Sequence, residues 1–354
     1  MTRVAFATLA STGYIVHAAG LHLNLRRVHP EIPLVVGALD AGTHAAFAGH
    51  ESESLLCVDA ETLWGAEFWN NMRCRMTRPE RAFASKPALA EWTLLNVADA
   101  VVVLDSDLLF LDRVDDLLAR FDEHSAILVP GRHPIRDWSK AHRFGLFSAG
   151  IIGLSRAALP AVRSWKALCF DNCMAMPMTG HYYEQTYLDA FVNLPGVSLV
   201  HDEGINVSQT ILRRLAPREG PDGRWQSADG VQLRIFHASR SSDTLFPLYQ
   251  AKMRLNTEGL AHLGVSDQRS RNHPGRQALL GRLVRHMHLG AAIDRFARWV
   301  PQAARWSMES WRLLTVTERP LSERLLRARA DKRRLVCTIE HSADSKEVLL
   351  EARN

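Results

Sequence analysis

The apolar segment Ala100–Leu104 is followed immediately by two acidic residues, Asp105 and Asp107, with Ser106 between them. A continuous aliphatic run of this kind is typical of a parallel strand that helices cover on both faces. The residues just past such a strand lie in a loop at its carboxyl end, where α/β sheets bind their ligands. We therefore expect the two carboxylates to turn toward a common ligand there.

Apolar runs and helical spacing alternate along the chain on both sides of this segment. Short apolar runs predict strands, and amphipathic spacing predicts helices. The predicted strands lie at residues 4–8, 34–38, 55–58 and 233–237, and the predicted helices lie at residues 15–29 and 84–97. This alternation predicts an α/β fold with helices on both faces of the sheet.

The charge of the chain is unevenly distributed. The net charge is +5 over 354 residues, but residues 269–334 contain 16 Lys and Arg against 5 Asp and Glu. A polar stretch with Pro274 and Gly275 accompanies this change of composition. We expect a main α/β domain over residues 1–265 and a basic, α-helical region over residues 266–354.

Two interpretations of the basic region stay open. Apolar residues recur at helical spacing between residues 279 and 292, arginines lie beside them, and Trp299, Trp306 and Trp311 follow. This pattern favours either peripheral contact with an anionic membrane or a helical subdomain that packs on the main domain. Nucleic acid is not expected as a partner, because no base-stacking or groove-reading motif accompanies the arginines.

The N-terminus and the cysteines bear on the cellular compartment. No secretory-signal pattern follows Met1, and no segment has about 18 consecutive apolar residues. We expect a cytoplasmic protein, and on the membrane interpretation of the basic region it makes peripheral contact with the inner face of the membrane. The five scattered cysteines favour reduced thiols. Cys169 and Cys173 have helical spacing, but no second Cys or His pair completes a zinc site.

Asp105 and Asp107 supply hard oxygen ligands, which suit Mg²⁺ or Mn²⁺ bound together with a diphosphate. Two alternatives stay open. One is a polar turn in which the Asp side chains cap the local backbone. The other is a haloacid-dehalogenase-type phosphatase, in which the first Asp is the nucleophile. That motif has Thr or Val where Leu109 stands here, and it lies near the N-terminus, whereas about a hundred residues precede this triplet.

The order of the motifs resembles the retaining glycosyltransferases with a GT-A fold, a family that includes glycogenin and bacterial lipooligosaccharide galactosyltransferases. The matching motifs extend over residues 3–255, and the strongest element is Lys86 paired with the later Asp105-Ser106-Asp107. The resemblance implies a Rossmann-like mixed sheet, a nucleotide-diphosphate sugar as donor, and a divalent cation, Mn²⁺ or Mg²⁺. Residues 1–265 would then form the GT-A catalytic domain.

The resemblance also implies roles for individual residues. Metal ligation is implied for Asp105, Asp107 and His237, and Lys86 is placed against the donor diphosphate, where an ammonium is electrostatically favourable. Glu184 and Gln185 stand where the family has a group below the sugar ring; a carboxylate there acts as a nucleophile, and an amide orients or stabilises. Further donor contacts are implied for Thr8, Tyr14, Ser106, Ser148, Ala149 and Gly150.

The stretch after His237 departs from the family's pattern. Arg240 stands in place of a Gly, and residues 243–244 stand in place of Lys-Pro. Arg240 or Lys252 would then supply the phosphate contact of the absent Lys. Asn206 belongs to a short segment that resembles a Tyr-Asn or Phe-Asn motif of the family, without an implied role.

Together these implications predict an enzyme that moves a sugar from a nucleotide-diphosphate donor, a UDP-sugar in the simplest case. The acceptor is a hydroxyl of a glycan, a glycolipid or a protein, and retention at the anomeric carbon is what the resemblance implies. Metal and cationic side chains stabilise the charge on the leaving diphosphate. The altered stretch after His237 leaves open a non-catalytic protein that binds sugar nucleotides.

Overall fold

The computed structural model describes residues 2–133, 138–176, 180–238 and 247–265. The predicted basic region, residues 266–354, and the altered stretch at residues 239–244 lie outside these described residues. Within them, no helix combines the length and the apolar character needed to cross a membrane.

Short strands and helices alternate along the described chain. The strands are β1 (Val4–Ala10), β2 (Leu34–Ala38), β3 (Leu55–Asp59), β4 (Ala100–Leu104), β5 (Leu108–Phe110), β6 (Ala126–Pro130), β7 (Phe147–Ser155), β8 (Ala175–Met176), β9 (His181–Tyr182), β10 (Val197–Leu199), β11 (Arg218–Glu219), β12 (Trp225–Gln226) and β13 (Ile235–His237). The α-helices are α1 (Ile15–Val28), α2 (Ala41–Ala48), α3 (Ala60–Trp64), α4 (Ala66–Arg75), α5 (Arg78–Asn96), α6 (Asp115–Leu118), α7 (Trp138–Phe144), α8 (Leu159–Asp171), α9 (Gln209–Leu215) and α10 (Pro247–His262). Residues 119–122, 156–158 and 185–193 form 3-10 helices.

Seven strands form the central sheet in the order β10-β6-β7-β4-β1-β2-β3. Strands β3, β2, β1 and β4 are parallel, β7 runs antiparallel between β4 and β6, and β10 is parallel to β6. The mixed α/β sheet is therefore confirmed. Short antiparallel pairs, β5 with β13, β8 with β9 and β11 with β12, lie outside this sheet.

The side chains of β4 alternate between two cores, one on each face of the sheet. Val101 and Val103 pack in the core that includes α5 and α8, and Val102 and Leu104 pack in the core that includes α1. All five residues of β4 are buried. Because both faces are covered, this strand has no polar position, as its continuous aliphatic sequence predicts.

Helix α5 begins at Arg78, six residues before the predicted start at residue 84. A capping box begins it: the Thr77 amide donates to the Glu80 carboxylate at 2.7 Å, and the Thr77 side chain accepts from the backbone of Glu80. Pro79 lies in the first turn, where a missing amide hydrogen costs nothing. Lys86 therefore lies in the middle of a buried helix and not near its beginning.

Helices α1 and α10 cross at two glycines. A Cβ on Gly259 would lie 2.5 Å from the carbonyl carbon of Ala19, and a Cβ on Gly20 would lie 2.8 Å from the Cα of Asn256. Such distances leave no room for a side chain at either position. The close approach brings Lys252 of α10 to the loop that carries Asp105 and Asp107.

Candidate metal and donor site

Three side chains with metal-binding atoms converge at the carboxyl end of β4. Asp105 and Asp107 lie between β4 and β5, and β13 pairs with β5 so that His237 stands opposite Leu108. The Nε2 of His237 lies 3.2 Å from Asp107 Oδ1 and 3.5 Å from Asp105 Oδ2. The three potential ligand atoms lie within 4.8 Å of one another.

The carboxylates of this cluster favour a positive charge beside them, either a proton on His237 or a metal cation that replaces that proton. Burial alone would raise the pKa of Asp107, but the adjacent His237 outweighs it and lowers that pKa to about 2. Burial alone would lower the pKa of His237, but the charges of Asp107 and Asp105 outweigh it, so that pKa lies above its ordinary value. Two carboxylates and an imidazole are a donor set that suits Mn²⁺ or Mg²⁺ in chemistry and in spacing.

Asn206 contacts the far side of the His237 ring. Its Oδ1 lies 2.8 Å from His237 Nδ1. The Asn206 side chain is buried, and its backbone has a φ of 58°, in the left-handed region. The sequence drew attention to Asn206 without giving it a function.

Lys86 is buried and bonded to three acceptors. Its Nζ lies 2.7 Å from Asp105 Oδ1, 2.8 Å from Glu184 Oε1 and 3.0 Å from the carbonyl oxygen of Ala149. Burial opposes the charge of Lys86, but the two carboxylates outweigh it and raise the pKa of Lys86. An ammonium has three N–H donors, and all three are used here. A diphosphate contact by Lys86 stays a prediction, and it requires that one of these bonds be given up.

Gly150 makes room for the His237 ring. A Cβ at position 150 would lie 2.7 Å from His237 Cε1 and 3.2 Å from Asp105 Oδ2. The Gly150 carbonyl also accepts the Asp105 amide at 2.9 Å, and the Gly150 amide donates to Ser148 Oγ at 3.2 Å. The resemblance implied a donor contact for this glycine, and the structure adds a packing reason for the absence of a side chain.

Glu184 and Gln185 lie beside Lys86, at the start of a 3-10 helix. The Glu184 carboxylate is buried, and burial raises its pKa although Lys86 opposes the rise. Gln185 bridges two backbone segments: its Nε2 donates to the Phe144 carbonyl at 2.6 Å, and its Oε1 accepts the Ala149 amide at 3.1 Å. Both side chains are therefore fixed in position without a ligand.

The predicted donor contacts Thr8 and Tyr14 have different environments. Thr8 is fully buried in β1, and its hydroxyl donates to the Leu104 carbonyl at 2.8 Å. Tyr14 precedes α1, is 54% exposed, and has its ring centroid 5.6 Å from that of His17. Tyr14 therefore presents a free aromatic surface at the same sheet edge, and the Thr8 hydroxyl does not.

Ser106 is another predicted donor contact, and its carbonyl oxygen accepts a hydrogen bond from Lys252. The buried ammonium of Lys252 donates to the Ser106 carbonyl at 3.1 Å and to the His17 carbonyl at 3.4 Å. Burial lowers the pKa of Lys252 to about 7, against the effect of Asp107. Lys252 thus links α10 to the loop that carries Asp105 and Asp107 and to the first turn of α1.

A second cluster of metal-type side chains lies at His29, Glu31 and Asp115. The Val114 amide donates to His29 Nε2 at 3.1 Å, so a neutral His29 carries its hydrogen on Nδ1, the atom that faces the two carboxylates. Burial and the nearby Arg113 lower the pKa of His29. Because no lone pair faces the carboxylates, and Arg113 pairs with both of them, this cluster is not a metal site.

Comparisons with known proteins place the fold. No protein-family model matches the chain. The uncharacterized protein YfnF of Bacillus subtilis is 23% identical over 246 residues, which are 66% of this chain and 80% of YfnF. The crystal structure of an active-site mutant of LgtC is 15% identical with a TM-score of 0.51, covering 75% of this chain and 99% of LgtC. A structure of galactosyltransferase LgtC with donor and acceptor sugar analogues is 17% identical over the same shares, with a TM-score of 0.48.

The strand order and the structural comparison together define the fold. The chain has the GT-A-like α/β fold of the nucleotide-diphospho-sugar transferases. At these identities, the likeness concerns the fold.

Proposed function

We propose that this chain is a metal-dependent glycosyltransferase that moves a sugar from a nucleotide-diphosphate donor, a UDP-sugar in the simplest case. The acceptor is a hydroxyl of a glycan, a glycolipid or a protein. The observation that carries the proposal is the convergence of Asp105, Asp107 and His237 at the carboxyl edge of a GT-A-like sheet. The haloacid-dehalogenase alternative is less well supported, because the sheet resembles the GT-A fold.

The chain's own residues prepare this site for a cation and a diphosphate. Lys86 occupies one oxygen of Asp105 and leaves the other toward His237. Asp107 Oδ1 and His237 Nε2, which lie 3.2 Å apart, each contribute one atom to the same space. A divalent cation bound there would stabilise the negative charge that develops on the leaving diphosphate. Lys252 fixes the Ser106 backbone between the two acidic ligands.

Gln185 is the group that we place below the sugar ring. One N–H of its amide is bonded to the Phe144 carbonyl, which leaves a second N–H to orient or stabilise the sugar. Glu184 is buried and neutralised by Lys86, so we assign it to holding Lys86 and not to nucleophilic attack. This arrangement supports retention without a covalent intermediate on Glu184.

The charge of the C-terminal region is the observation that supports a location at the membrane. The 16 basic residues between positions 269 and 334 support peripheral contact with an anionic membrane on its cytoplasmic face. Such contact would bring the enzyme to an acceptor in the membrane.

The proposal is tested by a screen of UDP-, GDP- and other sugar nucleotides with and without Mn²⁺. We expect Mn²⁺-dependent binding and slow hydrolysis of one donor. Asp105→Asn and Asp107→Asn should abolish both, while Asp229→Asn, which changes an exposed carboxylate elsewhere, should not. Normal metal dependence in either site variant would refute the metal assignment. Donor binding without turnover, with any acceptor, would favour the non-catalytic alternative.

A further inference from the structure

The orientation of the His237 ring decides whether it can bind a metal. A neutral imidazole has one N–H and one lone pair, and which nitrogen carries the hydrogen is decided by its partners. Asp105 and Asp107 face Nε2, and both are acceptors. Without another partner, these carboxylates would draw the hydrogen to Nε2, which would remove the lone pair from the metal-binding space.

The side chain on the opposite edge of the ring removes this problem. Asn206 Oδ1 lies 2.8 Å from Nδ1, and an amide oxygen accepts a hydrogen bond but cannot donate one. Nδ1–H is therefore bonded to Asn206, and Nε2 is the nitrogen that can give up its hydrogen and offer a lone pair to a cation between the two carboxylates. We propose that Asn206 is the positioning residue of the metal centre, because it fixes both the tautomer and the direction of His237. This inference rests on the metal site of the proposed function.

The backbone around Asn206 is built to present this side chain. Residue 206 has a φ of 58°, a conformation that Asn tolerates better than most residues and that Gly adopts freely. The adjacent Val207 amide donates to the Ile235 carbonyl at 2.9 Å, and the His237 amide donates to the Val207 carbonyl at 3.0 Å. The Gly204 carbonyl oxygen accepts hydrogen bonds from the backbone amides of Arg234 and Ile235. These backbone bonds do not involve the Asn206 side chain, so it can be removed without loss of the segment's anchoring.

The position of Asn206 gives two informative substitutions. Asn206→Gly removes the acceptor and keeps a backbone conformation that glycine accepts without strain. Asn206→Asp keeps the side-chain size and an oxygen that accepts from Nδ1–H. A purely structural role would make both variants differ from the wild type in stability, whereas a positioning role separates them in metal affinity.

The experiment is a calorimetric titration of the full chain with Mn²⁺ alone, together with thermal unfolding of each variant without metal. Partners that orient metal-binding histidines typically contribute about 10- to 100-fold in affinity. We expect a loss of about this size for Asn206→Gly, and affinity equal to or above the wild type for Asn206→Asp. His237→Ala should lose affinity at least as strongly as Asn206→Gly.

Each outcome bears on the inference. Wild-type affinity in Asn206→Gly would overturn it, and so would a tenfold loss in Asn206→Asp. If Asn206→Gly does not fold, a tenfold loss of Mn²⁺ affinity in Asn206→Asp still overturns the inference, because this variant keeps an oxygen that accepts from Nδ1–H. If the wild type and His237→Ala bind Mn²⁺ equally, the proposed metal site itself is wrong. If His237→Ala loses affinity but Asn206→Gly does not, only the positioning role of Asn206 is wrong.

Discussion

Gly150 and His237 come from distant parts of the chain, yet a Cβ on Gly150 would lie 2.7 Å from His237 Cε1 and 3.0 Å from its Nδ1. The imidazole is held by Asn206 on one side and faces Asp107 on the other. It cannot move away from a methyl group at position 150 without losing one of these contacts. The packing of the candidate metal site therefore depends on the absence of a side chain at Gly150.

Gly150→Ala should therefore weaken Mn²⁺ binding and lower stability by about 1–3 kcal/mol, the usual cost of overpacking. Calorimetry with Mn²⁺ and urea unfolding measure the two effects. Gly49→Ala is the matched control, because a Cβ at Gly49 meets nothing within 4 Å. Unchanged Mn²⁺ affinity in Gly150→Ala would show that the ring has room to move.

Lys86→Met should destabilise the fold by about 3–5 kcal/mol, because it leaves the buried Glu184 carboxylate without its partner. The double variant Lys86→Met with Glu184→Gln should recover much of this loss, since the stranded charge is removed. Urea unfolding of the two variants makes the comparison. Lys166→Met, which breaks a more exposed ion pair with Glu91, is the control and should cost far less. Equal stability of the single and double variants would argue against a structural role for the Lys86–Glu184 pair.

The pH dependence of stability should reveal Lys252. The pKa of this lysine is about 7 in the folded protein and near 10.5 when unfolded, so between these values the unfolded chain binds more protons. Stability from this group is therefore lowest below about pH 7 and rises as the pH increases toward about 10.5. Lys252→Met removes this dependence. The unfolding free energy of the variant minus that of the wild type should become more negative as the pH rises from about 7 to about 9.5, because only the wild type gains stability. A difference that is independent of pH would contradict the lowered pKa.

Tyr14→Ala should weaken binding of a nucleoside monophosphate by about 0.5–1.5 kcal/mol if its exposed ring stacks on the base. Tyr14→Phe should bind as the wild type does, because stacking needs the ring and not the hydroxyl. Phe68→Ala removes an aromatic side chain of similar exposure on α4 and should have no effect. Fluorescence competition with nucleotides measures these differences, and equal affinity in Tyr14→Ala would exclude a stacking role.

A chain that ends at residue 265 should lose salt-sensitive binding to anionic vesicles and keep donor binding, if the basic residues 266–354 contact membranes. Each well-placed Lys or Arg contributes about 1 kcal/mol near an anionic surface, and salt screens this attraction over about 8 Å at physiological ionic strength. Sedimentation with anionic and neutral vesicles measures the binding. If the 354-residue chain does not bind anionic vesicles at low salt, the membrane interpretation is wrong.

The sequence predicted the parts of this protein whose signals are local. The strands of the parallel half follow from short apolar runs, and α1 follows from helical spacing ended by Pro30. The Asp105-Ser106-Asp107 loop was predicted at a strand end because a long aliphatic run precedes it. The start of α5 was predicted wrongly, although Thr77 and Glu80 carried the signal of a capping box.

The contacts that complete the site could not be predicted, because they depend on sheet order. Lys86 reaches the Ala149 carbonyl because β7 lies antiparallel beside β4, and no local sequence pattern predicts that strand pairing. Asn206 meets His237 because the segment before Val207 runs beside β13. Residues separated by dozens of positions reach hydrogen-bond distance only when the whole sheet has formed.

The ammonium of Lys86 is shared between Asp105 and Glu184. We therefore expect these three positions to co-vary among related chains. An uncharged residue at position 184 would leave Asp105 as the one carboxylate paired with Lys86. Loss of the cation at position 86 would leave both carboxylates without their partner. We therefore expect substitutions at these positions to be compensated by one another. Among related chains, the residue found at position 86 should predict the residue found at position 184.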